Sequence, residues 1–145
     1  MKISEIELLW QEDSKINDIF IDKESLKSTE LHFKYYKILN EESLALRKLE
    51  AELKILYKDK FEYFNGNIEE ETLKHRNWLP LGEKLLKSNI PLYIESDKEY
   101  LRESYKTELQ KQKIEFLKDI IKQINNRNFI IKNIIEWRKF SNGIN

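Results

Sequence analysis

The sequence predicts an all-α protein built around two long helices, and three observations carry that expectation. The 145 residues include only three Gly and two Pro, too few for the many turns of an all-β chain. Between Leu26 and Phe64 there is neither, and Leu39, Leu46 and Leu53 recur at heptad spacing. Ser96-Asp97-Lys98-Glu99 has the Ser-x-x-Glu form of a capping box ahead of a second helical stripe.

Taken in order, residues 3–17 place Ile3, Ile6, Leu9, Trp10 and Ile16 at helical spacing with acids on the opposite face, which predicts an N-terminal helix. Asp22 is the expected N-cap of a long helix over 23–64, with Glu24 complementing the positive end of its dipole. Tyr35, Leu49, Leu56 and Tyr63 fill the companion positions of the leucine heptads, and Glu42 is the one defect. Such a seam is made to face another helix. Asn65-Gly66 ends the helix, because both residues tolerate the left-handed backbone that follows a helix stop.

Residues 67–95 read as an irregular connector, with a short helix near 82–88 and an extended run at 90–94. The capping box then opens a second long helix over 97–126, striped by Leu101, Tyr105, Leu109, Phe116, Ile120 and Ile124. Asn125-Asn126-Arg127-Asn128 interrupts the stripe, and a short C-terminal helix is expected over 129–141. Phe129, Ile131, Ile134, Ile135 and Trp137 make that last helix too apolar to stand alone, so it is expected to dock. All of this is read as one domain over 1–145. A forty-residue helix is roughly 60 Å long, whereas a compact globule of this length is roughly 40 Å across. The protein is therefore expected to be elongated and to bury its seams by self-association.

Composition narrows the function classes. Hydrophobic residues are 40% and charged residues 36% of the chain, with no Cys, which excludes a disulfide framework and thiolate metal sites. Apolar runs do not exceed three residues and no secretory h-region opens the chain, so neither a membrane span nor a signal peptide is expected. Lys plus Arg and Asp plus Glu balance at 26 each. The balance is uneven along the chain: residues 1–21 hold two Lys against five acids, and residues 122–145 hold five cations against Glu136. An acidic start and a basic end suit head-to-tail contacts or a basic binding face, and equally suit ordinary solvated helix surfaces.

No catalytic set is apparent. His32 and His75 lack companions at metal-ligand spacing, Glu69-Glu70-Glu71 reads as a solvated helix start, and no glycine-rich phosphate loop occurs. The chain is expected to be non-enzymatic and to need neither cofactor nor metal. The most informative stretch is Lys54-Ile55-Leu56-Tyr57-Lys58-Asp59-Lys60-Phe61-Glu62-Tyr63-Phe64. Cations that meet phosphates beside aromatics that stack on bases are the parts of a single-strand-binding surface. Lys54, Lys58, Lys60, Tyr57 and Phe61 are its candidates. On an ideal helix Lys60 points about 160° away from Lys58, so one flat patch is not required by the spacing. A buried aromatic stripe flanked by solvated lysines fits the same pattern, and a helical scaffold or adaptor that binds only protein remains the alternative.

Several blocks resemble the UvsY family, the recombination mediators of large tailed phages. They are Ile19-Phe20-Ile21-Asp22, the Tyr35-Tyr36 region, Arg47-x-x-Glu50-Ala51, Leu56 to Gly66, Ser96 to Leu101, and Arg127 to Phe140. The match covers roughly 17–66 and 96–143, and the order and distance of its two best blocks make it specific. The resemblance implies a helical homo-oligomeric ring of about six or seven subunits. It also implies single-stranded DNA as ligand, with a phage recombinase and single-strand-binding protein as partners in the host cytoplasm. The basic pair of the family's DNA-binding face maps onto Lys58 and Lys60, and its assembly segment onto the C-terminal block. The zero net charge and the 67–95 connector depart from the family pattern.

Overall fold

The heptad stretch folds as one uninterrupted helix, and the rest of the chain is arranged along it. The computed structural model describes residues 1–143. Its helices are α1 (Ile3–Asp13), α2 (Ile21–Asn65), α3 (Glu70–Arg76), α4 (Ile90–Glu95) and α5 (Lys98–Ser141). No strand occurs among the described residues. The chain is all-α, as its sparse Gly and Pro imply.

Four local expectations are corrected. First, α5 runs straight through 125–128, where a break was expected. Ile124, Arg127 and Ile131 all lie buried on one side of this helix. Each buried isoleucine contributes roughly 2 kcal/mol, which outweighs the roughly 0.6 kcal/mol that each mid-helix Asn costs. The separate helix over 129–141 is therefore the end of α5. Second, Ile90–Glu95 is helical and not extended. Pro91 lies in its first turn, where a missing N–H removes no intrahelical bond. Third, residues 82–88 form turns, and the short helix of this region is α3 instead.

The fourth correction concerns caps. Asp97 caps α5, its carboxylate accepting from the Tyr100 N–H at 3.0 Å. Ser96 turns the other way, its hydroxyl donating to the Leu92 carbonyl at the end of α4. Glu99 is drawn off to Trp78, so the capping box does not form. At the other long helix Asp22 sits inside the first turn, because α2 already begins at Ile21. α1 stops at Asp13, short of the expected Ile16 region.

The chain divides into two compact units, and α2 and α5 each contribute a portion to both. One unit combines residues 1–43 with the chain from 112 onward. Its core is Ile6 of α1, Leu31 and Tyr35 of α2, and Leu117, Ile120 and Ile124 of α5. Trp10 meets Tyr35 edge-on at 5.4 Å. The heptad defect is explained here: Glu42 is buried and accepts from the Met1 ammonium at 3.3 Å and from Lys113 at 3.2 Å. Farther along, Arg127 holds the Glu24 carboxylate at 2.8 Å and the Ser28 hydroxyl at 3.1 Å. Burial pushes Glu24 up, but the bonds from Arg127 and from the Asn17 backbone overcome it and hold the carboxyl below its ordinary range. Asp13 behaves likewise: burial raises it, and hydrogen bonds from Lys34 and Tyr35 bring it below normal.

The other unit, residues 44–111, holds the second half of α2, α3, α4 and the start of α5. Leu56, Ile90 and Ile94 are buried in it. The stop at Asn65-Gly66 is as expected. Gly66 has φ +80°, the Asn67 N–H reaches the Glu62 carbonyl at 2.9 Å, and the Gly66 N–H reaches the Tyr63 carbonyl at 3.3 Å. This pair of bonds is a Schellman turn. A side chain at Gly66 would be strained by its backbone, and its Cβ would also stand 3.3 Å from the Lys84 Cβ.

Candidate nucleic-acid interface

The lysine–aromatic stretch lies on the last turns of α2, and the structure splits it into a solvated row and a buried cluster. Arg47, Lys54 and Lys58 are exposed. At 100° per residue their spacing keeps them within about 40° of one another on the helix. Lys58 has only a long contact to Glu62, at 4.0 Å with the lysine side chain 72% exposed, a pair worth little in water. Phe61 is half-buried and follows Lys54 by seven residues and Lys58 by three, which puts it beside the row. Tyr57 is half-buried too, and one side of its ring meets Tyr100 at 5.9 Å.

Lys60 is placed otherwise. It is 6% exposed, and its Nζ lies 3.3 Å from the Asp97 carboxylate and 3.9 Å from that of Glu99. The same ammonium sits 4.1 Å from the centroid of the Trp78 ring, a cation–π contact strengthened by exclusion of water. The expectation of a solvated cation at this position is thus corrected. Lys60 continues the series Leu39, Leu46, Leu53 by one more heptad, so the helix turns it inward. The charge is kept there by the acids that open α5.

Trp78 reaches this position because α3 ends in a second Schellman turn. Asn77 adopts φ 60°, and the Trp78 N–H bonds the Leu73 carbonyl at 3.2 Å. The indole N–H donates to Glu99 at 3.0 Å, and the ring packs on Tyr63 at 5.2 Å. Tyr63 in turn donates to the Leu79 carbonyl at 2.5 Å. Arg76 holds the buried Asp59 through two nitrogens at 2.9 and 2.7 Å. Asp59, Lys60, Tyr63 and Phe64 therefore serve the packing of this unit, while Arg47, Lys54 and Lys58 remain outside as an array of positive charge. Arg47 was legible from its spacing of seven and eleven residues before Lys54 and Lys58, although only the two lysines stood out.

The expected assembly residues also divide. Ile131 is 4% exposed and belongs to the core of its own unit. Its place on the buried side of α5 removes it from any outward face. Phe129 and Trp137 are exposed, Ile134 is half-buried, and Ile135 lies at the edge of exposure. Ile130 and Phe140, not singled out from the sequence, join them. An open groove of about 410 Å³ runs between Asp18, Ile130, Asn133, Ile134, Trp137 and Arg138. Arg138 ties this helix end to the Asp18 carbonyl.

Among the described residues no group of three or more His, Asp or Glu is placed to hold a metal ion. No helix among them is long and apolar enough to cross a membrane.

Over residues 9–144 the sequence matches the family described as recombination, repair and ssDNA binding protein UvsY. Two crystal structures of the bacteriophage T4 recombination mediator protein UvsY, in different lattices, have the same fold. Each superposes with a TM-score of 0.84 over 97% of this chain, at 17% and 18% identity, and covers 99% and 98% of the T4 chain. No curated protein matches the sequence.

Proposed function

The chain belongs to the UvsY family, and from that membership we propose that it is a recombination mediator. It binds single-stranded DNA as a homo-oligomer and helps a phage recombinase replace single-strand-binding protein on that DNA, in the host cytoplasm. The observation that supports this reading is the row of exposed cations Arg47, Lys54 and Lys58 on one face of α2.

In this reading the row meets phosphates, and Phe61 offers a ring to a base, with the free part of Tyr57 beside it. Lys60 supports the row from inside by fixing the end of α2. Three cations per subunit make a weak grip in a chain of zero net charge. Copies arranged in a ring repeat the row along one strand, and the linked contacts multiply affinity. The exposed end of α5, with Phe129, Ile130, Trp137 and Phe140, is the assembly face.

Titration of a labelled oligonucleotide against protein at rising salt tests the proposal. Each released phosphate counterion steepens the salt dependence by about 0.7 for single strands. Replacing Arg47, Lys54 and Lys58 together by Ala is expected to weaken binding at least about ten-fold and to reduce the slope by about 2 per subunit engaged. The oligomer mass should stay unchanged. Absence of any oligonucleotide binding by the unaltered protein would remove the proposal and leave the protein-binding scaffold, which the bare apolar end of α5 also suits.

A further inference from the structure

Arg127 leaves one edge of its guanidinium unused. The residue is 2% exposed. Its Nε donates to the Ser28 hydroxyl at 3.1 Å, and its Nη2 donates to the Glu24 carboxylate at 2.8 Å and to the Glu24 carbonyl at 3.1 Å. Nη1 is buried with no acceptor. An unpaired buried donor costs about 1–3 kcal/mol, so a fold that keeps one calls for an acceptor from elsewhere.

A groove of about 190 Å³ runs past this residue, lined by Trp10, Ser14, Ile16, Gln123, Asn126, Arg127 and Ile130. Neither Glu24 nor Ser28 lines it, so the unused edge is the part of the guanidinium left to face it. Glu24 already balances the charge of Arg127 at 2.8 Å, so the missing acceptor is a neutral carbonyl and not an anion. Trp10, Ile16 and Ile130 suit an aliphatic side chain next to that carbonyl. Carbonyls within helices are occupied by their own ladder, so the donor segment must lie outside a helix.

The longest stretch between helices among the described residues is 77–89. It carries Leu79, at 82% the most exposed large apolar side chain described. The turn around Leu79 is held in place by the Tyr63 hydroxyl on the Leu79 carbonyl, so little order is lost when it docks. We propose that the Leu79–Gly82 turn of a second copy of this chain enters the Arg127 groove. Leu79 packs among Trp10, Ile16 and Ile130, and a carbonyl of residues 80–82 accepts from Nη1 of Arg127. The inference rests on the homo-oligomer reading. The contact joins two different patches, which is the arrangement that generates rings. Through Ile130 the groove is continuous with the wider one beneath Trp137.

The chain has no Cys, so single cysteines can report the contact. Ser14→Cys, at the exposed rim of the groove, and Leu79→Cys are made in separate preparations, mixed, and treated with a short bis-maleimide. A covalent dimer containing one chain of each kind is expected from the mixture, in several-fold excess over any dimer from either variant alone. Light scattering of each variant reports assembly independently. Variants that assemble like the unaltered protein but give no mixed dimer overturn this docking and leave the homo-oligomer intact. Unaltered protein that stays monomeric overturns both. Leu79→Ala should raise the concentration needed for assembly at least ten-fold while leaving the helical content unchanged; an unchanged concentration overturns the docking.

Discussion

The ends of α2 and α5 are built from the same kinds of residue and meet opposite fates. Residues 54–64 interleave lysines with Tyr57, Phe61, Tyr63 and Phe64, and residues 127–140 interleave cations with Phe129, Trp137 and Phe140. At the end of α2 the chain returns. Trp78 covers Lys60 and Tyr63, Tyr93 packs on Phe64 at 6.0 Å, and Asp97 takes the lysine charge. At the end of α5 the aromatics stay uncovered, Trp137 being 67% exposed. Alternation of cations and aromatics thus marks an amphipathic helix end, but it does not say which aromatics are spent on packing. That depends on the turn that follows. The Gly66 and Asn77 turns bring a covering segment back onto α2, whereas α5 has only Asn142 and Gly143 after it among the described residues.

The largest expected effect separates Lys60 from Lys58. Removing one partner of a buried pair leaves the other charge without compensation, at a cost of about 3–5 kcal/mol. Asp97 is partly open to water, which puts Lys60→Ala near the lower end, at about 3 kcal/mol. Lys58→Ala, at a solvated pair, is expected to cost less than about 0.5 kcal/mol. Urea unfolding followed by far-UV circular dichroism compares the two directly. Equal losses would erase the distinction between an inward and an outward lysine.

How far the sequence carried this distinction is visible at particular positions. Helical class, the run of α2 and its stop at Gly66 follow from local chemistry, because a heptad stripe and a left-handed turn need only near neighbours. Lys60 was in principle legible, since it falls on the heptad of Leu39, Leu46 and Leu53. A charged residue on a seam reads as an exception until its partner is known, and Asp97 lies 37 residues away. Glu42 is the same case, with its partners at Met1 and Lys113. The continuity of α5 was not legible. The Asn residues at 125, 126 and 128 are poor helix formers, and what overrides them is burial of Ile124, Arg127 and Ile131 against residues distant in sequence. For α3 the signal was present in Glu70 and Glu71 at its start and Lys74, His75 and Arg76 at its end, matching the helix dipole.

Acid should sharpen the contrast between the two regions. Glu24 titrates below its ordinary value of 4.5 when folded, so the stability it provides through Arg127 is complete above that value. It is lost as pH falls through the lower folded value, where the unfolded state takes up the proton first. Asp13 adds the same dependence below 3.8. Hydrogen exchange at stepped pH should show protection in α1 and residues 24–35 falling through this window, and Arg127→Met should flatten the part that belongs to Glu24. Protection there that is independent of pH from 6 to 3, both flagged as about the ordinary carboxylate range, would mean that these carboxylates do not anchor the unit.

The smallest effect on the fold is expected at the bare end, and its smallness is the informative part. Trp137 stacks with Phe140 at 5.8 Å and makes no hydrogen bond with the chain. Replacing it by Ala improves helix propensity by roughly 0.5 kcal/mol and gives up a comparable amount of partial burial, so the unfolding free energy of the unassembled chain should move by less than about 0.5 kcal/mol. The same substitution should lower the mass seen by light scattering, because a side chain left uncovered by its own chain has its packing partner in the assembly. A loss of several kcal/mol at a concentration where the protein is unassembled would place Trp137 in the core of its own unit. The end of α5 would then be the covered kind of helix end, and the contrast with α2 would fail.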